Sequence, residues 1–233
     1  MSELSVYSSI GVRSAAEELF RKFEKHNDNR LAVTWGTAPM LVARIEGGER
    51  GADVLILSRA GIDALLKQGR ILSGSDVTLA GSGVAIAVKA GAPKPDISTA
   101  EALKQTLLET KSIAYSEPSA GGASGVYFAK LLERMGLAEQ MRPKTKYPPA
   151  GGFSAELLLT GEAELAVQQK PELLHVSGVE IVGFLPGDLN LVTEFAAAVM
   201  AGSKNTAAGK ALIDSLRSPE AAALFRAKGL DPR

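Results

Sequence analysis

The stretch GTAPMLVARIEGGERGADVLILS, residues 36–58, indicates the fold class of this chain. Its first part, APMLVARIEGG, has the apolar spacing of a helix and closes on Gly47 and Gly48, the residue type that commonly ends helices. Its last part, ADVLILS, is a continuous apolar run of strand length, which is typical of a parallel strand buried on both faces. A helix that leads into such a strand predicts an α/β fold.

The same alternation continues on both sides of this stretch. LSVYSSI and LAVTW read as strands around a helical repeat, RAGIDALLKQG follows as a helix, and a second series of strands and helices begins at GVAIAVKAG. Composition alone also permits a single flavodoxin-like domain, but a length of 233 residues favours two units. We predict one unit from residues 1–81 with 196–233 and another from 82–195, with apolar strands near 83–89 and 192–200 running between them.

Composition excludes several classes of function. Lys and Arg total 26 residues, as do Asp and Glu, so no excess of basic charge points to nucleic acid or an anionic membrane. The chain has no cysteine and only two histidines, His26 and His175, so we predict neither a metal nor a cofactor. No apolar run approaches the roughly 20 residues of a membrane span. The start MSELSVYSS has no signal-peptide pattern, which predicts a cytoplasmic protein as the sequence stands, or a periplasmic one if a leader has been removed.

Small residues mark four junctions between a predicted strand and a predicted helix. They are Ser8-Ser9-Ile10-Gly11, Gly36-Thr37-Ala38, Ser119 to Gly125, and Ala150-Gly151-Gly152. Such junctions let the backbone approach a ligand, and each helix start offers unpaired N–H groups and a positive dipole end. Several of them together predict an anion site at the carboxyl ends of the strands. The alternative is that the hydroxyls are ordinary N-caps and the glycines permit tight turns.

Three longer side chains extend this hypothesis. Arg13 lies early in the first helix, where it either pairs with a ligand carboxylate or is simply solvated. Gln168 and Gln169 end the AELAVQQ strand, and their amides both donate and accept hydrogen bonds. The carboxylates nearest these loops, Glu117 and Glu172, are expected to be solvated at the surface.

Four segments together resemble a known family. VYSSIG, GTAPMLVARIEGGERGADVLILS, ASGVYFAKLLERMG and SPEAAALFRAKGL look like the molybdate-binding-protein-like group of solute-binding proteins, over nearly the whole chain. The resemblance implies a two-lobed type II periplasmic-binding-protein fold, each lobe a mixed, mostly parallel sheet flanked by helices, with two crossover strands. It also implies hinge closure around a ligand between the lobes. VYSSIG, GAPKPDIS, SIAYS, ASGVY and GEAELAVQQKPEL look closer to the subgroup that contains aconitate isomerase.

The resemblance also implies positions for the ligand groups. The two serines of molybdate binders fall on Gly11 and near Thr37, their two backbone donors on Ser124 and Gly151, and their tyrosine on Gln169. By this mapping a serine and the tyrosine are absent and Arg13 is added, so binding of molybdate or tungstate is the lesser alternative. The predicted ligand-binding residues are Ser8, Ser9, Gly11, Arg13, Thr37, Ser124, Gly151, Gln168 and Gln169.

Two functions follow from these features. The first is a substrate-binding protein for a small carboxylate or oxyanion, with an ABC transporter permease as partner if the protein is exported. The second is an isomerase that moves an allylic proton in a tricarboxylate, which requires a positioned base. Glu117, Glu172, Lys170 and Tyr115 are all candidates for that base, and the sequence does not choose among them. A scaffold protein leaves the small-residue junctions unexplained.

Overall fold

The computed structural model describes residues 2–49, 51–120, 122–149 and 152–233. The chain divides into two compact units: unit 1 comprises Met1–Gly81 and Thr193–Arg233, and unit 2 comprises Ser82–Val192. Each is an α/β unit, which confirms the predicted fold class.

Unit 1 is built from alternating strands and helices. Its elements are β1 (Ser2–Ser9), α1 (Arg13–His26), β2 (Asn29–Gly36), α2 (Ala38–Glu46), β3 (Val54–Ser58), α3 (Arg59–Lys67), the first part of β4 (Val77–Lys89), most of β9 (Val192–Val199), α9 (Thr206–Ser215), α10 (Pro219–Ala227) and β10 (Asp231–Pro232). The strands β2, β1 and β3 are parallel neighbours, and β9 pairs with β3 in the antiparallel sense.

The sheet of unit 1 is covered on both faces, as the apolar run in β3 predicts. Val54 and Ile56 pack into a core with α1, α9 and α10, whereas Leu55 and Leu57 pack into another with α2 and α3. Each of these side chains is at most 1% exposed. Burying a side chain of this size contributes about 1.5–3 kcal/mol, so both faces stabilise the strand.

Unit 2 repeats this plan with shorter elements. It contains the rest of β4, α4 (Ala100–Glu109), β5 (Ile113–Tyr115), α5 (Ala123–Arg134), α6 (Ala138–Met141), β6 (Thr145–Lys146), α7 (Glu156–Thr160), β7 (Leu165–Gln169), α8 (Lys170–His175) and β8 (Val179–Phe184). The strand order is β8-β4-β7-β5-β6; β7, β5 and β6 are parallel, and β4 is antiparallel to both of its neighbours.

β4 is longer than the sequence predicts. The expected strand near 83–89 begins at Val77, because Ala80 and Gly81 pair with the short terminal strand β10. Gly81, Ser82 and Gly83 are all part of this extended strand, and Gly81 is paired with Asp231.

The described residues contain no helix long and apolar enough to cross a membrane. The same residues bring together no group of three or more metal-ligating side chains of the His, Cys, Asp or Glu type.

Candidate functional site

In unit 1, two parallel strands end side by side and place the predicted residues at one edge. Ser8 pairs in register with Trp35, and Ser9 with Gly36. Because the carboxyl ends of parallel strands meet at one edge, the loops that follow them are neighbours. We call Ser9, Gly11, Arg13, Trp35 and Thr37 the unit 1 cluster.

Two hydroxyls of the unit 1 cluster act as helix caps. Ser9 Oγ accepts a hydrogen bond from Gly11 N at 3.4 Å, and Thr37 Oγ1 accepts one from Met40 N at 3.4 Å. Both hydroxyl oxygens therefore act as N-caps, as the alternative interpretation of the sequence predicted. A hydroxyl also has one hydrogen to donate, so each cap keeps a donor with which to bind an anion. Ser8 is fully buried, and its Oγ has no hydrogen-bond partner among the described residues.

Arg13 is held in place on two sides. Its Nε donates to Glu17 Oε1 at 2.7 Å, and its guanidinium carbon lies 5.4 Å from the centre of the Trp35 ring. Trp35 in turn stacks on Phe20, with 6.1 Å between ring centres. The ring contact and the Nε hydrogen bond fix the orientation of the Arg13 guanidinium. Its two terminal nitrogens can then pair end-on with the two oxygens of a carboxylate. Arg13 is therefore a fixed cation at the strand ends.

Gly11 stands where the family resemblance places a serine, and the structure supplies a reason. A Cβ atom at Gly11 would lie 2.5 Å from Cζ of Phe195, a residue of β9 that is 2% exposed. Since real Cβ contacts are not that close, a serine here requires the ring to move. Phe195 thus occupies the space that a side chain at residue 11 would need.

In unit 2, the parallel strands β5 and β7 also end at one edge. Tyr115 pairs in register with Val167, so Ser116 and Gln168 follow side by side. We call Ser116, Ser154, Gln168, Gln169 and Glu172 the unit 2 cluster. Of these residues, Ser154, Gln168, Gln169 and Glu172 are all at most 7% exposed.

Gln168 is the centre of the hydrogen bonds in the unit 2 cluster. Its Oε1 accepts from Ser154 N at 2.8 Å and from Ser154 Oγ at 2.9 Å, and its Nε2 donates to Ser116 Oγ at 3.2 Å. These bonds tie two loops to the end of β7. The Gln168 amide therefore forms its hydrogen bonds with Ser116 and Ser154, and in this structure it positions these two residues.

Gln169 has a different environment although it is the next residue. It is 4% exposed, and its Oε1 has no hydrogen-bond partner among the residues described. Gln169 and Glu172 form a capping box at the start of α8, in which Glu172 Oε2 accepts from Gln169 N at 3.3 Å. The reciprocal contact to Gln169 Oε1 falls short of hydrogen-bond geometry. Buried polar atoms are nearly always paired, so the Gln169 oxygen is a candidate acceptor for a ligand donor.

Glu172 contradicts the expectation of a solvated surface carboxylate. It is 7% exposed, and burial raises its pKa to about 7, against the lowering effects of the Gln169 N–H and the Gln168 side chain. Burial disfavours the charged carboxylate, and no cation is among the causes that act on this pKa. Glu172 is therefore poised to gain or lose a proton near neutral pH.

The other three candidate bases are less well placed for proton transfer. Glu117 is exposed just after β5, and the Lys170 ammonium lies 5.2 Å from the centre of the Phe184 ring. Burial, followed by the Tyr147 hydroxyl, raises the pKa of Tyr115 well above its ordinary value. At neutral pH Tyr115 is therefore a neutral phenol, a poor base.

The glycine-rich loop before α5 has a packing reason as well. Ser124 is 3% exposed in the first turn of α5, and a Cβ atom at Gly125 would lie 2.1 Å from the carbonyl oxygen of Ser116. Only glycine lets α5 begin this close to the end of β5. The predicted backbone donor Gly151 lies outside the described residues.

Several residues in or beside the two clusters were not predicted from the sequence. Trp35, Glu17, Phe195, Ser116 and Ser154 all contact predicted residues. The i,i+4 spacing of Arg13 and Glu17 on a predicted helix is the one pattern in the sequence that indicates such a contact. The others meet their partners through strand pairing and loop packing, which leave no local pattern.

Comparison with known proteins identifies the family. A family model described as bacterial extracellular solute-binding protein matches residues 4–231. The chain belongs to this family. A curated relative, the aconitate isomerase of Pseudomonas sp, is 35% identical over 100% of this chain and 88% of its own length.

Molybdate-binding proteins of the same family are more distant. The molybdate-binding protein ModA of Escherichia coli K12 is 24% identical over 97% of this chain and 88% of its own length. Among solved structures, the periplasmic molybdate-binding protein of Azotobacter vinelandii aligns with a TM-score of 0.75 and 20% identity, covering 97% of this chain and 98% of that one. These findings confirm the predicted resemblance and the periplasmic-binding-protein fold, and with them a ligand-binding protein of the substrate-binding type.

Proposed function

We propose that this member of the solute-binding family binds a small polycarboxylate. The observation that carries the proposal is Arg13, whose guanidinium is held by Glu17 and by the Trp35 ring at the strand ends of unit 1. A planar, pre-oriented fork matches a carboxylate. The family resemblance implies that molybdate binders instead surround their oxyanion with hydroxyl and backbone donors. Of those donors, the first serine is replaced by Gly11, and Phe195 fills the space that a side chain there would need.

The unit 2 cluster supports the same ligand class. The unpaired Gln169 Oε1 needs a donor, which a ligand hydroxyl or a carboxyl that stays protonated in the buried site provides. An ionised carboxylate and a bare oxyanion offer no such donor. That one ligand takes groups from both units is expected from the family resemblance and stays a prediction. So do the individual site residues and the identity of the ligand.

The expected partner and location of the protein depend on whether it is a receptor or an enzyme. A receptor would deliver its ligand to an ABC transporter permease. The family is described as extracellular, which favours the periplasmic alternative over the cytoplasmic one.

Calorimetry on the purified protein tests the proposal. We expect heats of binding for trans-aconitate, cis-aconitate or citrate, and none for molybdate or sulfate. Arg13→Ala should weaken carboxylate binding roughly 10- to 100-fold, the range for a charge-assisted hydrogen bond at a partly exposed site. Arg21→Ala, on the exposed side of the same helix, is the matched control and should leave the affinity unchanged. Binding of molybdate but of no carboxylate would contradict the proposal.

A second candidate is isomerisation of the bound tricarboxylate. Two observations favour it: the relative that is 35% identical is an aconitate isomerase, and Glu172 is a buried carboxyl with a pKa of about 7. Incubation with trans-aconitate, followed by chromatography for the cis isomer, decides between a receptor and an enzyme. Binding without conversion leaves the first proposal standing and removes the second.

A further inference from the structure

We infer that Glu172 is the group that takes up and returns the proton when this protein isomerises an unsaturated tricarboxylate. The inference rests on the isomerase candidate and chooses among the four bases that the sequence left open. It stands on the placement of Glu172 in the unit 2 cluster, beside the buried amide oxygen of Gln169 that lacks a donor.

The first argument is that the Glu172 carboxyl is buried and has no cation paired with it. Buried carboxylates normally pair with a cation or a metal, because desolvation of the charged form is costly. The hydrogen bonds that act on Glu172 come from Gln169 N and the Gln168 side chain, and the ion pairs among the described residues do not include it. A purely structural capping box is satisfied by an exposed, ionised Glu. Its burial without a cation therefore needs a further reason.

The second argument concerns the groups around it. α8 packs against β7 and β8. On β7, the side chains of Gln168 and Gln169 are neutral. On β8, Glu180 is paired with Lys94 at 3.0 Å. On α8 itself, the Lys170 ammonium lies over the Phe184 ring. His175, the other titratable group of α8, packs on Phe153 with 4.6 Å between ring centres. The charged and titratable side chains named on these elements thus have their own partners, which leaves the Glu172 carboxyl to change its protonation state when a ligand binds.

The third argument is the match to the chemistry. An allylic shift removes a proton from the methylene carbon next to the double bond, and a general base works best with a pKa near the working pH. Burial gives Glu172 a pKa of about 7, whereas Glu117 is exposed and Tyr115 is held protonated. Glu172 thus combines burial within the unit 2 cluster with a pKa of about 7.

The proposed step is balanced within the substrate and this one residue. The Glu172 carboxylate takes a proton from the methylene carbon, and the electron pair of that C–H bond forms a new double bond to the central carbon. The electrons of the old double bond move to the former vinyl carbon and its carboxylate. Glu172 then returns the proton to the former vinyl carbon. The double bond has moved by one position, and no oxidant, reductant or co-reactant is needed.

The test measures turnover and binding separately, with trans-aconitate as the probe. Glu172→Gln should lower kcat at least 100-fold, the usual size of a general-base contribution, and change the Kd for trans-aconitate less than about 3-fold. Glu156→Gln, a neighbouring exposed carboxyl at the start of α7, is the matched control and should retain wild-type kcat. For the wild type, kcat should rise with pH to a plateau through an ionisation near 7, which a merely structural role would not produce.

Each outcome decides a different point. If Glu172→Gln keeps more than a tenth of wild-type kcat, the inference is wrong while the isomerase function stands. If the wild type binds trans-aconitate without converting it, the isomerase function and this inference both fail, and carboxylate binding remains. Should Glu172→Gln not fold, Glu172→Asp and the wild-type pH profile replace it: a profile flat between about pH 5.5 and 8.5 overturns the inference.

Discussion

The aromatic ring of Phe195 lies against the backbone of Gly11 and leaves no room for a side chain there. The ring comes from β9 and Gly11 from the turn after β1, two segments that are 184 residues apart in the sequence but adjacent in unit 1. The pair gives a packing reason for glycine at residue 11, the position on which the family resemblance places a serine of molybdate binders. A side chain at residue 11 would therefore require the buried ring of Phe195 to move.

Removing the glycine should therefore be costly unless the ring is also reduced. We expect Gly11→Ala to lower the free energy of unfolding by about 1–3 kcal/mol, as other overpacking changes do. In combination with Phe195→Leu, the two effects should be less than additive, with a coupling of about 0.5–3 kcal/mol. Urea unfolding of the four proteins of the cycle measures this. Strict additivity would show that the contact is not the cause.

Gly125 and Gly122, at the start of α5, allow a direct comparison of a crowded and an uncrowded glycine. A Cβ atom at Gly125 would meet the carbonyl oxygen of Ser116 at 2.1 Å, whereas one at Gly122 would lie 3.5 Å from Cβ of Ser116, an ordinary contact. Gly125→Ala should cost about 1–3 kcal/mol of stability or more, since the obstacle is backbone. Gly122→Ala should cost less than about 1 kcal/mol, the price of a poorer N-cap.

Thermal unfolding of the two variants side by side provides the measurement. Equal melting temperatures would mean that α5 shifts freely, and the close approach to Ser116 would then not be the reason for glycine at residue 125.

Gln168 should matter for stability more than for direct ligand contact. Gln168→Leu removes the partner of the Ser154 N–H and of the Ser116 hydroxyl, and leaves the Ser154 hydroxyl only its longer bond to Val167 O at 3.4 Å. An unsatisfied buried polar group costs about 1–3 kcal/mol, so we expect a loss in that range in urea unfolding. Gln105→Leu, which removes only an exposed bond to Glu109, should change stability by less than about 0.5 kcal/mol. Unchanged stability with a large loss of affinity would instead assign Gln168 to the ligand.

Glu172 predicts how stability depends on pH. Its pKa is raised from an ordinary 4.5 to about 7 by burial, so between these values the folded protein holds a proton that the unfolded chain releases. The stabilisation is therefore full below about pH 4.5 and is lost as the pH rises towards 7. From the size of the shift we expect a loss on the order of 3 kcal/mol.

Glu172→Gln isolates this contribution, because the amide does not titrate and the other carboxyl groups are common to both proteins. The difference in unfolding free energy between wild type and variant should change across pH 4.5–7 and be constant above it. A difference that is independent of pH would show that Glu172 has an ordinary pKa in the folded protein.

Sequence periodicity was sufficient for most of the secondary structure. The apolar run of β3 predicts burial on both faces, and both faces are covered by helices. It was insufficient at β4, where the start at Val77 depends on pairing with the remote β10. Local patterns report what a segment can form by itself, whereas strand limits depend on the partner strand.

The candidate site divides in the same way. Residue types and spacing in the sequence determined the α/β class, the family resemblance, and the small-residue junctions that carry Ser9, Thr37 and Ser124. The protonation of a carboxyl or the freedom of an amide depends on what surrounds it, and that is decided by contacts between distant segments. Tertiary structure alone therefore distinguished Gln168 from Gln169 and placed Phe195 against Gly11. For the same reason it buried Glu172, which sequence composition had predicted to be solvated.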